Sequence, residues 1–533
     1  MKRFVSGVVV FGLVAAGILV SSDAAAANGC ISHSTGDGTS ARPFLIGTPH
    51  ELTCIETNPV DYWGAGLHFR QTTAIDMQAQ GAWPHGIGVD GDQFLGSFDG
   101  AGHTISHLQV TAAELDASIA GVGMFGQLGA GSDVTGVRLV DATVTATAST
   151  TLPLPASNDV RWVGLLAGRS GGSLSDDEAV GILTATATGL ASQIGGLVGG
   201  YSGPSTATQL AANATIAVTG NQVSQVGGLA GSLDLADISF GRSGGSIHTI
   251  AGVDTNFIGG LVGVSNVGVA DSLSTTSVNV AADPSGDASH IGGLVGGSAF
   301  AFVFRSGESG PVSVAGTTLG NGIGGLVGFA TAGVIEDSYA TGDVTSSVNA
   351  VGGLVGVLEG SNISRTYDAG KLTGVSAIGG IVGTAAFSSQ VTDSFWDAAT
   401  TGASTAIGLD TDTVITHVTA LPTAPLFAFA TFVDTTSYLG TAWDIHNGFE
   451  SPATTIWGIC DGQAYPFLTA LTSTDPCTPV EPTAAPAVAT AVLAATGLNA
   501  SDIHHQSLAA LLLALLGTAL LVIVRRQKRA FRP

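Results

Sequence analysis

Short apolar runs separated by glycine fill the middle of the chain, and one of them recurs almost unchanged. The hexapeptide IGGLVG and its close variants begin at residues 194, 226, 258, 291, 323, 351 and 378. Runs rich in Val, Ile, Thr and Ser follow each copy, such as VIEDSYATG at 334–342. Because such runs are typical of strands and no helical 3.6-residue stripe interrupts them, the region is predicted to be all-β.

The spacing of the copies predicts the architecture. Weaker copies at 122–126 and 163–168 extend the series, and the clearest seven close on Gly199, Gly231, Gly263, Gly296, Gly328, Gly356 and Gly383. The nearly constant number of residues between successive copies predicts one solenoid coil per repeat. We therefore expect a right-handed parallel β-helix with three short strands per coil and capped ends. A β-sandwich is the alternative, although it would not demand so regular a step.

The repeated glycines suit stacked coils. Coils stack about 4.8 Å apart, so equivalent residues lie above one another. Glycine there would permit positive φ and close backbone approach. Strict alternation, however, would place Ile194 and Val198 on one face and Leu197 on the other, leaving both faces non-polar. We expect either a bulge that shifts the phase or a leucine ladder packed under another element.

The hexapeptide resembles the GLUG motif, which is named for its Gly-Leu-X-Gly pattern. That motif recurs in bacterial surface proteins, including some immunoglobulin-A peptidases. The resemblance extends to flanking segments such as QFLGSFDGAGHTISHLQV at 93–110 and VTDSFWDAATTG at 391–402, and covers about residues 30–470. It implies an architecture more than an activity, because the motif occurs in proteins of differing function.

The first residues are typical of a secretory signal peptide. Lys2 and Arg3 precede an apolar run, and alanines at 24–26 supply the small-residue cleavage pattern. An uncleaved membrane anchor is the alternative. Secretion would allow disulfides. Of the three possible pairings of the four cysteines, the local ones are expected, Cys30–Cys54 and Cys460–Cys477.

The last residues combine four features in order. The pentapeptide LAATG is followed by a polar spacer, an uncharged run at 507–524 long enough to span a bilayer, and a basic tail. This order resembles the cell-wall sorting signal of Gram-positive surface proteins. The usual pentapeptide there is LPxTG, and the alanine here resembles the LAxTG variant associated with class E sortases. A simple type I membrane anchor is the alternative.

The resemblance implies a covalent anchor. A class E-like sortase would recognise the pentapeptide, cut after its threonine and join that residue to peptidoglycan. The recognised residues are Leu493, Ala494, Ala495, Thr496 and Gly497.

These features divide the chain into six segments. They are a signal peptide at 1–27, an N-terminal cap and opening coils at 28–120, GLUG-type repeats at 121–400, a C-terminal cap at 401–477, a Pro/Ala/Thr-rich linker at 478–492 and the sorting signal at 493–533. Bulky side chains are expected to cover the C-terminal end of the solenoid, namely Trp443, Trp457, Tyr465 and Phe467.

Charge excludes some partners. The chain has 40 acidic and 16 basic residues and a formal net charge of −24. Binding to nucleic acid is therefore not expected, because phosphate backbones require a basic face. The chain contains no HExxH zinc-protease motif. The GxSxG pattern occurs at 168–172 and 241–245, but inside the predicted β repeats and not ahead of a helix, so no nucleophile elbow is expected. His103 and His107 would lie too far apart on a strand to share a metal.

The acidic residues offer weak candidates for hydrolysis, which requires paired carboxyl groups. They are Asp90 with Asp92, the run Asp176, Asp177 and Glu178, and Glu336 with Asp337. Most lie in or beside turns, where acidic residues are common anyway. Calcium is conceivable at 88–93 or 408–413, although neither matches a complete calcium loop. We assign no catalytic residue, metal site or cofactor.

Together these features predict a secreted, wall-anchored surface protein that acts as a non-enzymatic adhesin or scaffold. Its partners would be the sortase, peptidoglycan and an extracellular glycan or protein. The alternatives are a wall-displayed polysaccharide hydrolase or lyase and a carbohydrate-binding accessory module.

Overall fold

The computed structural model describes residues 30–31, 36–89, 91–113, 121–148, 158–204, 206–300, 302–449 and 455–477. They form a parallel β-solenoid of about ten turns. The all-β class and the parallel solenoid are thus confirmed. The interior is filled by fully buried Val, Ile and Leu side chains from successive coils.

One side of the solenoid is a sheet of ten parallel strands. These are Phe125–Leu128, Ala167–Ser170, Val198–Tyr201, Ala230–Leu233, Val262–Ser265, Val295–Ala299, Val327–Thr331, Val355–Glu359, Val382–Ala386 and Ile407–Asp410.

The other sides form one continuous sheet that bends around the solenoid. Its strands are Phe44–Ile46, His68–Gln71, Ile75–Asp76, Ser97–Asp99, Thr104–Ser106, Gln109–Ala113, Asp133–Thr135, Arg138–Thr147, Val160–Gly164, Ser173–Ser175, Glu178–Thr186, Leu190–Gly195, Ala207–Thr208, Ala211–Gly227, Ile238–Ser239, Arg242–Gly259, Val269–Ala270, Leu273–Ser274, Ser277–Ala282, Asp287–Gly292, Phe302–Phe304, Gly307–Glu308, Val312–Ala315, Ile323–Gly324, Val334–Glu336, Tyr339–Ala340, Val344–Ser346, Val351–Gly352, Asn362–Ser364, Tyr367–Asp368, Leu372–Thr373, Ile378–Gly379, Gln390–Asp397 and Val414–Leu421.

The coils contain more segments than the expected three. The coil that begins at Val327 has five short strands, the last of which is Val351–Gly352. In an earlier coil the last three merge into the single strand Arg242–Gly259, which pairs with three separate strands of the next coil. The expectation of three was wrong because bends inside an apolar-polar run leave no mark on its composition.

The hexapeptide forms a corner between the two sheets. One strand ends at Gly195 and the next begins at Val198. Ile194, Leu197 and Val198 are all fully buried. The bend resets the alternation, so all three apolar side chains face inward. Neither the bulge nor the leucine ladder under a separate element is therefore needed.

Close backbone approach explains the glycines of this corner. A Cβ on Gly260, the second glycine of its copy, would lie 1.9 Å from the carbonyl oxygen of Gly293 in the next coil. A Cβ on the closing Gly231 would lie 2.4 Å from the amide nitrogen of Ile194 in the previous coil. None of the seven closing glycines has a left-handed φ, so the expectation of positive φ was wrong.

The left-handed conformation falls instead on the residue before the hexapeptide. Gln193, Gln225, Phe257 and His290 have φ values of 56°, 56°, 58° and 60°. This conformation is costly for residues with a Cβ and persists where the surrounding structure fixes it. Here it turns the chain just before each corner.

A short helical segment lies at the N-terminal end. Helices α1, Pro49–Thr57, and α2, Pro59–Tyr62, follow the first strand. The Thr48 hydroxyl accepts a hydrogen bond from the Glu51 amide, while Glu51 accepts one from the Gly47 amide, so the first turn of α1 is capped reciprocally. Leu52 of α1 is fully buried in the same apolar core as the first coils.

The C-terminal segment lies along the side of the solenoid. Helix α3, Ala398–Thr401, lies between two solenoid strands, whereas the segment contains α4, Thr423–Leu426, two 3₁₀ turns, Phe429–Phe432 and Thr469–Leu471, and a small sheet of Ile445–Asn447, Trp457–Ile459 and Phe467–Leu468. Trp443 donates to the Asp393 carbonyl at 3.1 Å, whereas the Leu471 carbonyl accepts from Arg242 at 3.3 Å. Five coil steps separate Asp393 from Arg242, or about 24 Å.

The aromatic residues that were predicted to cover the C-terminal end of the solenoid therefore lie along its side. Trp457 packs against Tyr339 and Tyr367, and the Tyr367 hydroxyl donates to the Pro466 carbonyl at 2.8 Å. Trp443, Trp457 and Tyr465 thus cover the outer side of several coils instead of the last one. Composition alone could not distinguish a segment that covers the end of the solenoid from one that lies along its side, because both require the same apolar side chains.

Candidate functional site

A column of polar residues runs along the outside of the solenoid at the position two residues before the hexapeptide. Strand pairing aligns Arg161 with Ser192, Ser192 with Ser224, Ser224 with Asn256, and Asn256 with Ser289. A second column lies two residues earlier, where Leu190 aligns with Gln222 and Gln222 with Asp254. Stacking thus places residues that are far apart in sequence side by side.

These columns line a groove of about 380 Å³. We call it the polar groove, and its lining residues are Arg161, Leu190, Ser192, Gln193, Gln222, Val223, Ser224, Gln225, Asp254 and Asn256. Its volume lies within the range of small-ligand sites, but its lining is more polar than most.

Burial shows which groups form the floor of the polar groove. Ser192 is only 5% exposed, and Ser224 and Asn256 are half-buried. In the described part of the chain, no residue forms a hydrogen bond with the side chains of Ser192, Ser224, Gln225 or Asn256. The floor therefore presents uncommitted hydroxyl and amide groups to solvent.

The charged groups at the rim are partly neutralised. Arg161 pairs with Asp159 at 3.1 Å, and Asp159 also accepts from the Leu190 amide at 2.9 Å. Asp254 accepts from the Gln222 amide group at 3.2 Å. The polar groove thus combines one neutralised cation, one carboxylate held by an amide, and a neutral floor.

The structure separates the three acids at 176–178. Asp177 points inward, is 1% exposed and accepts from the Val137 amide at 2.9 Å. Burial raises its pKa well above the usual range for a carboxyl group. Asp176 and Glu178 are exposed and both pair with Arg138. Asp177 is thus separated from the other two acids, and Asp176 and Glu178 share the guanidinium group of Arg138.

Glu336 and Asp337 both contact one guanidinium group. Asp337 accepts two hydrogen bonds from Arg365, at 2.9 and 3.0 Å, and one from the Trp457 indole at 3.1 Å. Glu336 forms an ion pair with the same arginine. Asp337 therefore helps to hold the C-terminal segment against the solenoid.

The remaining candidates are engaged in local contacts. His107 contacts Asp76 at 2.8 Å, whereas His103 lies at the other end of the strand Thr104–Ser106. In the 408–413 segment, Asp410 accepts from the Thr413 amide and Asp412 from the Ser388 amide. In the 88–93 segment, Asp90 lies outside the described residues.

Several buried acids were not among the candidates that the sequence offered, and two of them lie close together in the interior. Glu308 and Asp368 point into the solenoid interior and are 0% exposed. Burial raises the pKa of both carboxyl groups well above their usual values. Their positions in the repeat could have indicated this, because each occupies the inward position that Ser274 and Ala340 occupy in neighbouring coils.

The two ends of the chain are not described. The signal peptide at 1–27, the linker at 478–492 and the sorting signal at 493–533, with its span at 507–524, lie outside the described residues and stay predictions. Across the part of the chain that the structure describes, no helix combines the length and apolarity needed to cross a bilayer.

A disulfide joins Cys30 to Cys54, and Cys460 and Cys477 are also disulfide-bonded.

Comparison with known proteins supports the repeat. A family model described as the GLUG motif matches residues 320–345, which begin just before the hexapeptide at 323 and include the next four strands. Halomucin from Haloquadratum walsbyi is 32% identical over 160 residues, covering 28% of this chain. This chain spans only 2% of the length of that relative.

A solved structure gives a weaker match. It is a protein from Bacteroides ovatus named as a candidate immunoglobulin A1 protease, 16% identical in sequence. The match covers 58% of this chain and 79% of that one, with a TM-score of 0.35. The similarity is too low to support a shared activity.

Proposed function

We propose that this chain is a wall-anchored extracellular surface protein whose β-solenoid binds a partner without catalysis. The observation that carries the proposal is the polar groove, which crosses several coils of a rigid repeat and presents uncommitted hydrogen-bonding groups. The GLUG motif supports a surface role, because the motif resembles repeats of bacterial surface proteins.

The disposition of the acids favours binding over hydrolysis. Hydrolysis of a glycosidic bond needs two carboxyl groups facing one scissile bond. Asp177 is buried, Asp176 and Glu178 both pair with Arg138, and Glu336 and Asp337 both pair with Arg365. Incubation of the purified full chain with soluble polysaccharides should therefore produce no new reducing or unsaturated ends. Product from any of them would contradict the non-catalytic part of the proposal.

The anchor is tested by Thr496→Ala. Sortase must form its acyl intermediate at this residue, so the variant should leave the covalent wall fraction and appear in the membrane or the medium. The matched control is Thr490→Ala, which lies in the linker and should stay wall-bound. Wall attachment of Thr496→Ala at the control level would contradict the sorting signal.

A further inference from the structure

We infer that the polar groove binds a neutral, hydroxyl-rich saccharide chain that runs along the solenoid axis. The inference deepens the proposed function and rests on it. It follows from the direction of the groove, the uncommitted groups on its floor and its charge.

The direction follows from the strand register. Arg161, Ser192, Ser224 and Asn256 lie in four successive coils and are directly aligned. At about 4.8 Å per coil, they cover roughly 14 Å along the axis. The groove thus repeats similar groups at short, regular intervals, and a polymer of similar units can engage each interval in the same way.

The floor matches hydroxyl groups chemically. A sugar hydroxyl both donates and accepts hydrogen bonds. The serine hydroxyls and the Asn256 and Gln225 amides each offer both functions, whereas Asp254 only accepts. Ser192 is 5% exposed, and its hydroxyl has no partner among the described residues, so it is available to a ligand hydroxyl. Leu190 adds aliphatic surface at the edge for the C–H faces of a sugar ring.

The charge disfavours an anionic polymer. Asp254 faces the groove, and Arg161 is already paired with Asp159. The chain as a whole carries a net charge of −24. A uronate or phosphate chain would therefore meet repulsion, whereas a neutral saccharide would not.

The backbone disfavours an extended peptide. Peptides that add to a sheet need an open edge with unpaired backbone groups. The floor of the groove is the face of a sheet, and its strands are already paired with those of the neighbouring coils. Side chains alone are available there, which suits a ligand recognised through its hydroxyl groups.

The test is calorimetric titration of the full-length chain, purified in detergent. The probes are neutral hexasaccharides of β-glucan, xylan, mannan and galactan, with oligogalacturonate as the anionic comparison. At least one neutral probe should bind. Asn256→Ala should weaken that binding at least tenfold, and Ser224→Trp, which fills the groove, should abolish it. The matched control is Asn213→Ala, an exposed asparagine on the same strand as Ser224 but outside the groove, and it should bind normally.

Three results would overturn the inference. They are no binding of any neutral probe, preferred binding of oligogalacturonate, and unchanged binding by Asn256→Ala. If Ser224→Trp fails to fold, as its circular dichroism would reveal, Asn256→Ala still decides the matter. A chain that stays wall-bound and supports cell attachment but binds no probe would refute this inference while leaving the proposed function standing. Release of the wild-type chain from the wall would refute the anchor alone.

Discussion

Glu308 and Asp368 face the same interior column of the solenoid, with only Ala340 aligned between them. Glu308 accepts from the Gly342 amide at 3.3 Å and Asp368 from the Gly370 amide at 3.2 Å. The second oxygen of each carboxyl group is buried without a partner in the described structure. Two acids thus each lie one coil away from a shared neighbour in an interior filled mainly by apolar side chains.

This arrangement predicts a protein that is more stable in acid. Burial, followed by the nearby charge of Asp368, raises the pKa of Glu308 above that of the unfolded chain; burial and then Asp397 do the same for Asp368. The folded state therefore holds these protons more tightly. Its extra stability is complete below the unfolded pKa, about 4, and is lost as the pH rises through the folded values.

Urea unfolding between about pH 4 and about pH 9 would measure this dependence. The double variant Glu308→Gln, Asp368→Asn should weaken it, leaving the contribution of Asp177, and should stabilise the protein at high pH. The variant Asp61→Asn, which changes an exposed carboxyl group, should leave it intact. A wild-type midpoint that rises steadily with pH would show that the buried acids do not dominate.

The corner glycines predict a strong difference between two substitutions of the same kind. Gly260→Ala would place a Cβ 1.9 Å from the Gly293 carbonyl oxygen, whereas Gly81→Ala would meet nothing within 4 Å. We expect a loss of about 3 kcal/mol or more for Gly260→Ala, at the upper end for overpacking, and at most about 0.5 kcal/mol for Gly81→Ala. Equal urea midpoints for the two variants would mean that neighbouring coils can move apart.

The guanidinium group of Arg365 should be important for stability. It is bound to Asp337, which is 4% exposed, and to Glu336. Arg365→Met would leave the carboxyl group of Asp337 without its cation, at a cost of about 3–5 kcal/mol in the free energy of unfolding. The exposed pair Arg42–Asp37 is the comparison, and Arg42→Met should cost less than about 1 kcal/mol. Chemical denaturation of both variants checks the difference.

Trp457 should be needed to hold the C-terminal segment in place. It is fully buried against Tyr339 and Tyr367 and donates to Asp337. Trp457→Ala should destabilise the segment by about 3–5 kcal/mol and increase amide exchange and protease cleavage within 422–475. Val60→Ala, at a side chain that is 95% exposed, is the control. Local exchange that stays at the wild-type level would contradict the packing described here.

The repeat spacing was sufficient to predict the solenoid, because stacking requires the same residues at a constant step. It did not predict the corner. Ile194, Leu197 and Val198 look like an unalternating strand until the bend at Gly196–Leu197 is known. A bend of two residues changes the direction of every following side chain, yet its glycine and leucine are residues that a strand also accepts.

The polar groove could have been predicted from the sequence, although it was not. Ser192, Ser224 and Asn256 each stand two residues before a hexapeptide, so an alignment of the repeats would have placed them in one column. The candidate acids were residues adjacent in sequence. Adjacent residues on a strand point to opposite faces of the sheet, so they do not form a common site. In a solenoid, functional neighbours are separated by a whole coil. The placement of Trp457 along the side of the solenoid depends on tertiary packing, and no repeat pattern in the sequence indicates it.

The placement of the C-terminal segment determines how the protein would carry mechanical load. Leu471 contacts Arg242, which belongs to a coil midway along the solenoid. Tension applied through a covalent anchor at Thr496 would therefore enter the fold at its middle. Because Cys460 and Cys477 are disulfide-bonded, the tension would pass to Cys460 and load the neighbouring contacts of Trp457 and Trp443. The aromatic packing along the side of the solenoid would thus be loaded before the coils that line the polar groove.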